Sequence, residues 1–373
     1  MLSSFIFSFP ALRGIQAKQE YYVTMCPLKL IPKMLIFDDQ GLKPEFRAQR
    51  VINKARIPEI CNYIVNNPNE YVLSALTASI DGEVEFIPVS ENPHQYTMGT
   101  LKIPMEARFI INDGQHRRAA IEAALKKRPE LGNETIACVF FIDIGLKRCQ
   151  QMFADLNRYA IRPTQSLSVL YDHRDPYAKL ARDLIHKVEI FNGFTELEKS
   201  TISNRSTKIF TLSGIYRANH ELLTDINKPM DKLFAISFDF WSAVTQLIPE
   251  FGWVKEGAMS AANLRKNYVT AHTITLVAIG RAGKSLLARY PHSWRKELNR
   301  LKGVDWRKTN APFWEGRVMV GGKVSTAHNN IILLTNRIKK ILRLELEPEE
   351  LQVEEAFLKG LKNNSGVEPN VHQ

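Results

Sequence analysis

The feature that most constrains the fold is a strand, a turn and a helix in immediate succession between residues 108 and 128. The segment Arg108 to Asn112 is apolar enough for a short buried strand, and Asp113-Gly114 is a dipeptide typical of turns. The segment Arg117 to Arg128 is rich in alanine with isoleucine and leucine, which favours a helix with one apolar face. Two arginines and a histidine are therefore predicted on the first turn of a helix.

This charge placement is unusual for a helix start. The first turn exposes free N–H groups and carries a partial positive charge, so acidic residues are normally favoured there. Cations at this point concentrate positive potential and favour an anion, most simply a phosphate. Gly114 permits a tight turn, Gln115 can donate and accept, and Arg117 and Arg118 can hold phosphate oxygens. The alternative is an ordinary turn with two solvated arginines.

Two residues of the same turn are candidates for chemistry. His116 could move a proton, although no acidic partner for it is evident in the sequence. Asp113 could orient Arg117, hold a metal ion or simply close the turn. We expect Asp113 and His116 to be the catalytic residues if the protein is an enzyme.

A second polar cluster follows the next strand and helix. The continuous apolar run Ile136 to Ile144 is typical of a central strand covered on both sides, so the region predicts a βαβ-like unit. A helix over Leu146 to Leu156 then leads to Asn157 and Arg158. In a compact unit this pair would lie beside the first cluster and complete a phosphate cradle, unless it is an ordinary connector.

The character of the sequence changes near residue 165. Strand patterns prevail before it, including a hairpin predicted at Asp81-Gly82, and helical periodicity prevails after it. The predicted class is α+β, with a mixed-sheet domain over 1–165, a helical basic domain over 166–344 and an acidic, polar tail over 345–373. Thr164 is placed to cap the first helix after the boundary.

The charge balance favours a polyanionic partner. The net charge is +11 and the isoelectric point is about 9.4. Residues 281–308 contain nine lysines and arginines against two acidic residues, with Tyr290, Trp294 and Trp306 between them. The predicted DNA-binding residues are Arg281, Lys284, Arg295, Lys296, Arg300, Arg307 and Lys308.

Several other classes of protein lack support. The four cysteines are far apart and no metal-binding cluster is evident, although Cys26 precedes a proline in a loop-like place and could be exposed. Gly280 to Ser285 is similar to a P-loop, but Ala278 stands where the first glycine is needed, so a helical packing contact is expected. No apolar run reaches the length of a membrane span, and a reducing cytoplasm fits the isolated cysteines.

The sequence resembles the DndB family of bacterial DNA phosphorothioation (DNA sulfur modification) systems. The run Asp113-Gly114-Gln115-His116-Arg117 is similar to the motif of DGQHR-domain proteins, which are related to the ParB/sulfiredoxin-like fold. Further segments resemble DndB in order along the chain: Gly14-Ile15-Gln16, Arg47-Ala48-Gln49-Arg50, Arg56-Ile57-Pro58-Glu59-Ile60, Tyr71-Val72, Leu76-Thr77-Ala78-Ser79 and Phe153-Ala154-Asp155-Leu156-Asn157. The C-terminal third is matched only by its helical, basic character.

The resemblance implies a DNA-binding repressor of the modification gene cluster. It places a nucleotide or phosphate site, with ATP as the nucleotide, at residues 113–117 and, less directly, at Asn157. The expected partners are double-stranded promoter DNA and other DNA sulfur modification proteins, and a homo-oligomer is left open. The alternative is a nucleotide hydrolase or DNA nuclease within the same machinery, and a sulfur-handling redox protein that uses Cys26 is a third interpretation.

Overall fold

The computed structural model describes residues 6–35, 53–90, 96–142, 145–158 and 163–365. The chain divides into two compact units, Met1–Ile161 and Arg162–Gln373. The motif Arg47 to Arg50 lies outside the described residues. The architecture is mixed α/β, with a mixed sheet in the first unit and mainly helices in the second.

The first unit is organised around a seven-stranded sheet with the order β4-β5-β1-β2-β7-β3-β6. Its strands are β1 (Ile6–Gln16), β2 (Gln19–Pro27), β3 (Leu76–Asp81), β4 (Glu85–Pro88), β5 (Met98–Pro104), β6 (Arg108–Asp113) and β7 (Thr135–Ile142). Its helices are α1 (Ile31–Met34), α2 (Arg56–Asn66), α3 (Gln115–Lys127) and α4 (Leu146–Arg158), with 3-10 turns at Leu28–Leu30 and Pro129–Asn133. The predicted strand, turn and helix thus form β6 and α3.

The pairing of the strands corrects two predictions. Strands β3 and β4 do not form a hairpin at Asp81-Gly82, because β4 pairs with β5 while β3 lies between β7 and β6. The βαβ-like unit is also wrong in detail. Strand β3 pairs parallel with β7 and antiparallel with β6, so α3 connects two antiparallel strands that are not neighbours. Strand β7 does lie inside the sheet, as its apolar sequence predicts.

Alternation along the strands determines which side of the sheet is buried. In β7, Ile136, Cys138 and Phe140 are buried and join one core with the buried residues of α2 and α3. Helix α3 contributes Ala120, Ile121 and Ala124 to this core, because helical spacing places them on the same face. On the opposite side, α4 packs near β6, where the side chain of Asn112 is fully buried. This end of the sheet is therefore covered on both faces.

The second unit is helical and has its own core. Its helices are α5 (Gln165–Tyr171), α6 (Pro176–Lys187), α7 (Leu212–Leu223), α8 (Met230–Leu247), α9 (Pro249–Lys255), α10 (Ala261–Asn267), α11 (Thr273–Arg289), α12 (Trp294–Leu298), α13 (Ala311–Trp314), α14 (His328–Ile341) and α15 (Pro348–Ser365). Two short strand pairs accompany them: β8 (Thr195–Glu196) with β9 (Phe210–Thr211), and β10 (Met319–Val320) with β11 (Lys323–Val324). Thr164 caps α5 as predicted, accepting a hydrogen bond from the amide of Leu167 at 3.1 Å.

Helix α11 contributes ten buried residues to the second unit. It packs against α7 and α14, and its glycines make the approach to α7 close. A Cβ on Gly280 would lie 2.2 Å from the carbonyl oxygen of Ala218, and one on Gly283 would lie 2.9 Å from Cδ1 of Leu222, both in α7. The segment Gly280 to Ser285 is therefore a helical packing contact, as the sequence predicted, and not a phosphate loop.

Much of the predicted C-terminal tail is a packed helix. In α15, Glu354 is buried and pairs with Arg317 at 2.8 Å, and Glu350 pairs with Lys339 at 2.8 Å. Both ion pairs fix α15 to the helical unit. None of the helices in the described part of the chain combines the length and the apolar character needed to cross a lipid bilayer.

Candidate functional site

The turn between β6 and α3 has a backbone that only glycine accommodates easily. Gly114 adopts φ of +108°, in the left-handed region, and a Cβ there would lie 2.4 Å from Cδ2 of Leu76. The chain can therefore leave the sheet at Asp113 and enter the helix at Gln115 without a break. No side chain caps the helix, so its first backbone N–H groups have no side-chain acceptor at this turn.

Arg117 is held by groups of the protein. Its Nη2 contacts Oδ2 of Asp113 at 2.6 Å and donates to the carbonyl oxygen of Ala75 at 3.1 Å, while Nη1 donates to the hydroxyl of Ser74. The Arg117 side chain is 21% exposed and that of Asp113 is 44% exposed. The Nε of Arg117 is buried without a hydrogen-bond partner. An anion at this point therefore has to compete with the Asp113 carboxylate, and the one donor of the guanidinium without a partner, Nε, is buried.

Arg118 and Gln115 connect the helix to the surrounding chain. Arg118 donates from Nε to the carbonyl oxygen of Leu35 at 2.8 Å and from Nη2 to that of Pro32 at 2.9 Å, and it pairs with Glu122. Gln115 is buried and donates to the carbonyl oxygen of Ile111 at 3.1 Å. The alternative of two solvated arginines is wrong, because both guanidinium groups bind carbonyl oxygens and carboxylates of the protein.

His116 is also engaged. It is buried, and its Nε2 accepts a hydrogen bond from the backbone N–H of Asn53 at 3.1 Å. Because an amide N–H can only donate, this Nε2 is the unprotonated nitrogen and the ring proton lies on Nδ1. A proton transfer through Nε2 would first have to break this bond.

Asn112, directly before the turn, was missed by the sequence analysis. It is fully buried, and its Nδ2 donates to the hydroxyl of Ser79 at 2.7 Å and contacts the sulfur of Met152 at 2.9 Å. Its Oδ1 has no hydrogen-bond partner. An apolar strand ending in asparagine is the only sequence signal that marks this position.

The predicted cradle from Asn157 and Arg158 is not formed by Asn157. This residue lies in the last turn of α4, is exposed, and donates from Nδ2 to the carbonyl oxygen of Phe153 in its own helix at 2.8 Å. Between Asn157 and residues 113–118, the described structure contains no hydrogen bond. Arg158 is the last residue of the same helix.

Most of the predicted DNA-binding cations have an acidic neighbour. Each of five is paired with a carboxylate of the same unit at about the distance of a charge-assisted hydrogen bond: Arg281 with Glu221 at 3.1 Å, Lys284 with Asp225 at 3.1 Å, Arg295 with Asp239 at 3.1 Å, Arg300 with Glu297 at 2.9 Å and Arg307 with Asp305 at 2.9 Å. Lys296 is exposed. Of the interleaved aromatic residues, Trp306 is fully buried and stacks on Trp314, so it is a core residue.

Lys308 belongs to a different environment. It lines a cavity of about 860 Å³ in the second unit, together with Arg265, Lys266, His272 and Lys323. No sequence pattern predicted this cavity, because its walls come from four separate segments. One signal was present: there is no aspartate or glutamate between Glu256 and Glu297.

The cysteines of the first unit are structural. The notion that Cys26 could be exposed is wrong, since Cys26 lies in β2 and is fully buried. The pKa of the Cys138 thiol is raised, first by a hydrogen bond with Cys26 and then by burial, so it is a poor nucleophile. In the described residues, no group of three or more histidine, cysteine, aspartate and glutamate side chains is placed to hold a metal ion.

Comparison with known proteins adds one finding. No curated protein and no solved structure shows significant similarity to the chain. The family model named DndB, described as DNA-sulfur modification-associated, matches residues 9–345 and so covers most of both units. The chain therefore belongs to the DndB family of proteins associated with DNA sulfur modification.

Proposed function

We propose that this protein is a regulator that binds double-stranded DNA through its second unit and represses the genes of a DNA sulfur modification system. The observation that carries the proposal is the unequal charge of the two units. The first unit contains 19 lysines and arginines against 17 aspartates and glutamates. The second unit, residues 162–373, contains 31 against 22. Excess positive charge on one unit is the electrostatic footprint of nucleic-acid binding.

The ion pairs on this unit are compatible with DNA binding. Arg281, Lys284 and Arg295 are paired with carboxylates whose side chains are 37%, 80% and 53% exposed. Exposed pairs of this kind contribute only about 0 to 1 kcal/mol, so a phosphate can replace the carboxylate at little cost. Lys296 needs no such exchange.

The direct test is binding of a promoter duplex from the modification genes, followed by fluorescence anisotropy at 50 mM and 200 mM salt. If the second unit neutralises about six phosphates, affinity falls by about 10³-fold between these salt concentrations. A duplex of shuffled sequence serves as the control. Equal affinity for both duplexes at each salt concentration contradicts a promoter-specific regulator, and affinity independent of salt contradicts the electrostatic basis.

The turn at residues 113–117 is the proposed phosphate site of the first unit, with ATP as the expected nucleotide. Its support is the buried Nε donor of Arg117, which has no hydrogen-bond partner, at an uncapped helix start. We expect Arg117→Ala to abolish the binding of ATP at this turn. Arg128→Ala, at the C-terminal end of α3, should leave that binding unchanged. Catalytic roles of Asp113 and His116 stay predictions, and release of phosphate from ATP that persists in Asp113→Asn and His116→Gln contradicts them.

Two finer expectations belong to the same proposal. The relation of the first unit to the ParB/sulfiredoxin-like fold is supported by the DGQHR motif that closes β6 and opens α3. Partnership with other DNA sulfur modification proteins is supported by membership of the DndB family.

A further inference from the structure

The cavity of the second unit combines a large volume with positive charge. It measures about 860 Å³ and is lined by residues from 200–211, 262–274 and 322–326 together with Lys308. This volume is within the range of about 300 to 1,000 Å³ that holds small organic ligands. Four of its lining residues are lysine or arginine, and within this lining there is no aspartate or glutamate.

Arg265 shapes one wall of the cavity without losing its charge. Its Nη2 donates to the carbonyl oxygens of Ser203 and Ser206, both at 2.9 Å, and its Nη1 donates to that of Lys208. Carbonyl oxygens satisfy the hydrogen bonds of a guanidinium but do not neutralise it. These hydrogen bonds fix the loop that starts at Ser200 around the positive charge of Arg265.

Lys308 places a second charge in the same region. Its Nζ donates to the carbonyl oxygen of Arg265 at 2.8 Å, and burial lowers its pKa and that of Arg265. Lys266 and Lys323 are exposed at the rim, and in the described part of the chain none of these three lysines forms an ion pair. Partly buried cations without a counter-ion are unfavourable, so the cavity favours an anion.

His272 gives the cavity a neutral polar group. Its ring nitrogen Nε2 lies 3.2 Å from the carbonyl oxygen of Arg265, so Nε2 carries the proton and Nδ1 is an acceptor. Burial and the charge of Lys308 lower the pKa of His272 to about 4, which keeps the ring uncharged at neutral pH. Thr273 and Ile274, the first residues of α11, also line the cavity, and no side chain caps that helix.

We propose that this cavity binds a phosphorylated small molecule of nucleotide size. The lysines at the rim bind its phosphates, and the neutral hydroxyl, amide and imidazole groups of the wall bind its uncharged part. This site is separate from the turn at residues 113–117, and its existence does not depend on whether the second unit binds DNA.

The test is isothermal titration calorimetry on the full chain at 150 mM salt, with ATP, AMP and inorganic phosphate as probes. In the double variant Lys266→Gln/Lys323→Gln we expect the affinity for ATP to fall at least ten-fold. The matched control is Lys302→Gln/Lys359→Gln, which removes the same charge from two exposed positions outside the lining and should change the affinity less than two-fold. Arg117→Ala should also leave most of the ATP binding intact.

Three outcomes overturn the proposal. The first is that none of the three probes binds to the wild-type protein. The second is that ATP binds but the double variant Lys266→Gln/Lys323→Gln binds it as well as the control does. The third is that the double variant loses affinity for a DNA duplex and not for ATP, which assigns the cavity to the DNA-binding surface.

Discussion

The arginines of the DGQHR motif in the first unit and the lysines of the cavity in the second unit differ in their partners. In the first, the arginines of the most recognisable motif are bound by the protein itself, Arg117 by Asp113 and Arg118 by backbone carbonyl oxygens. In the second, Lys266, Lys308 and Lys323 surround a cavity with no carboxylate in its lining. The difference teaches that a motif that is easy to recognise in the sequence is not necessarily where unneutralised charge is available to a ligand.

The largest effect on the stability of the second unit should come from removing the carboxylate of Glu354, which is the buried partner of Arg317. Burial by itself raises the pKa of Glu354, but hydrogen bonds from Arg317 and Lys340 outweigh it and lower that pKa to about 2. Glu354→Gln leaves Arg317 buried without a counter-charge, so we expect the free energy of unfolding to fall by about 4 kcal/mol at pH 7. Urea unfolding measures this loss.

The same variant has a defined pH dependence. Because the folded pKa of Glu354 lies below its ordinary value of 4.5, its contribution is present above about pH 4.5 and is lost as the pH falls towards 2. At pH 3 the difference between wild type and Glu354→Gln should therefore be about half of that at pH 7. Glu355→Gln, an exposed neighbour, should show neither effect, and a difference that does not change with pH contradicts the ion-pair explanation.

In the first unit the largest effect should come from Gly114→Ala. The added Cβ meets Leu76 at 2.4 Å and the backbone has φ of +108°, so strain and overlap together should cost about 3 kcal/mol. Gly145→Ala is the matched control, since Gly145 has φ of +111° with nothing within 4 Å of its Cβ position, and should cost about 1 kcal/mol. Hydrogen exchange of amides in β6 and α3 measures the loss of stability in each variant. If the two losses are equal, the close approach to Leu76 does not explain the effect of Gly114→Ala.

A pH-dependent effect of similar size should come from His272. Its folded pKa of about 4 lies below the ordinary 6.5, so its stabilising effect is complete above pH 6.5 and is lost as the pH falls to 4. We expect the second unit to lose about 3 kcal/mol over this range, and His272→Gln to remove that loss. Thermal unfolding between pH 7 and 4 measures it. The exposed His173→Gln should behave as wild type, and an unchanged pH profile in His272→Gln contradicts the assignment.

The smallest expected effect is a change in affinity for DNA, and it compares the contributions of the two units to DNA binding. Lys296→Gln, in the second unit, should weaken binding of a DNA duplex about three-fold and reduce its salt dependence by about one counter-ion. Lys33→Gln, an equally exposed change in the first unit, should leave the affinity unchanged. If both substitutions weaken binding alike, the charge asymmetry between the units does not determine where DNA binds.

Local features of the fold could be predicted from the sequence, and long-range ones could not. The strand, turn and helix around Gly114, the cap at Thr164 and the helical packing of Gly280 all follow from neighbours within a few residues. The hairpin at Asp81-Gly82 failed because the partner of β4 is β5, a choice made by the whole sheet and not by the turn.

The candidate sites divide in the same way. The DGQHR motif was found because its residues are consecutive, but the partners that occupy it, such as Ser74 and Leu35, lie far away in the sequence. The cavity around Arg265 is assembled from distant segments, so no local pattern could show it. Only the long absence of acidic residues before Glu297 pointed to that region.

The two glycines in α11 have a mechanical consequence. They let α11 pack closely on α7, next to Ala218 and Leu222, so a shift of either helix would create overlaps with the other. Thr273 at the cavity and Arg281 on the surface belong to the same rod, about 12 Å apart along its axis. A displacement at the start of α11 is therefore transmitted along the whole helix and to α7. Arg281 keeps its position relative to Thr273.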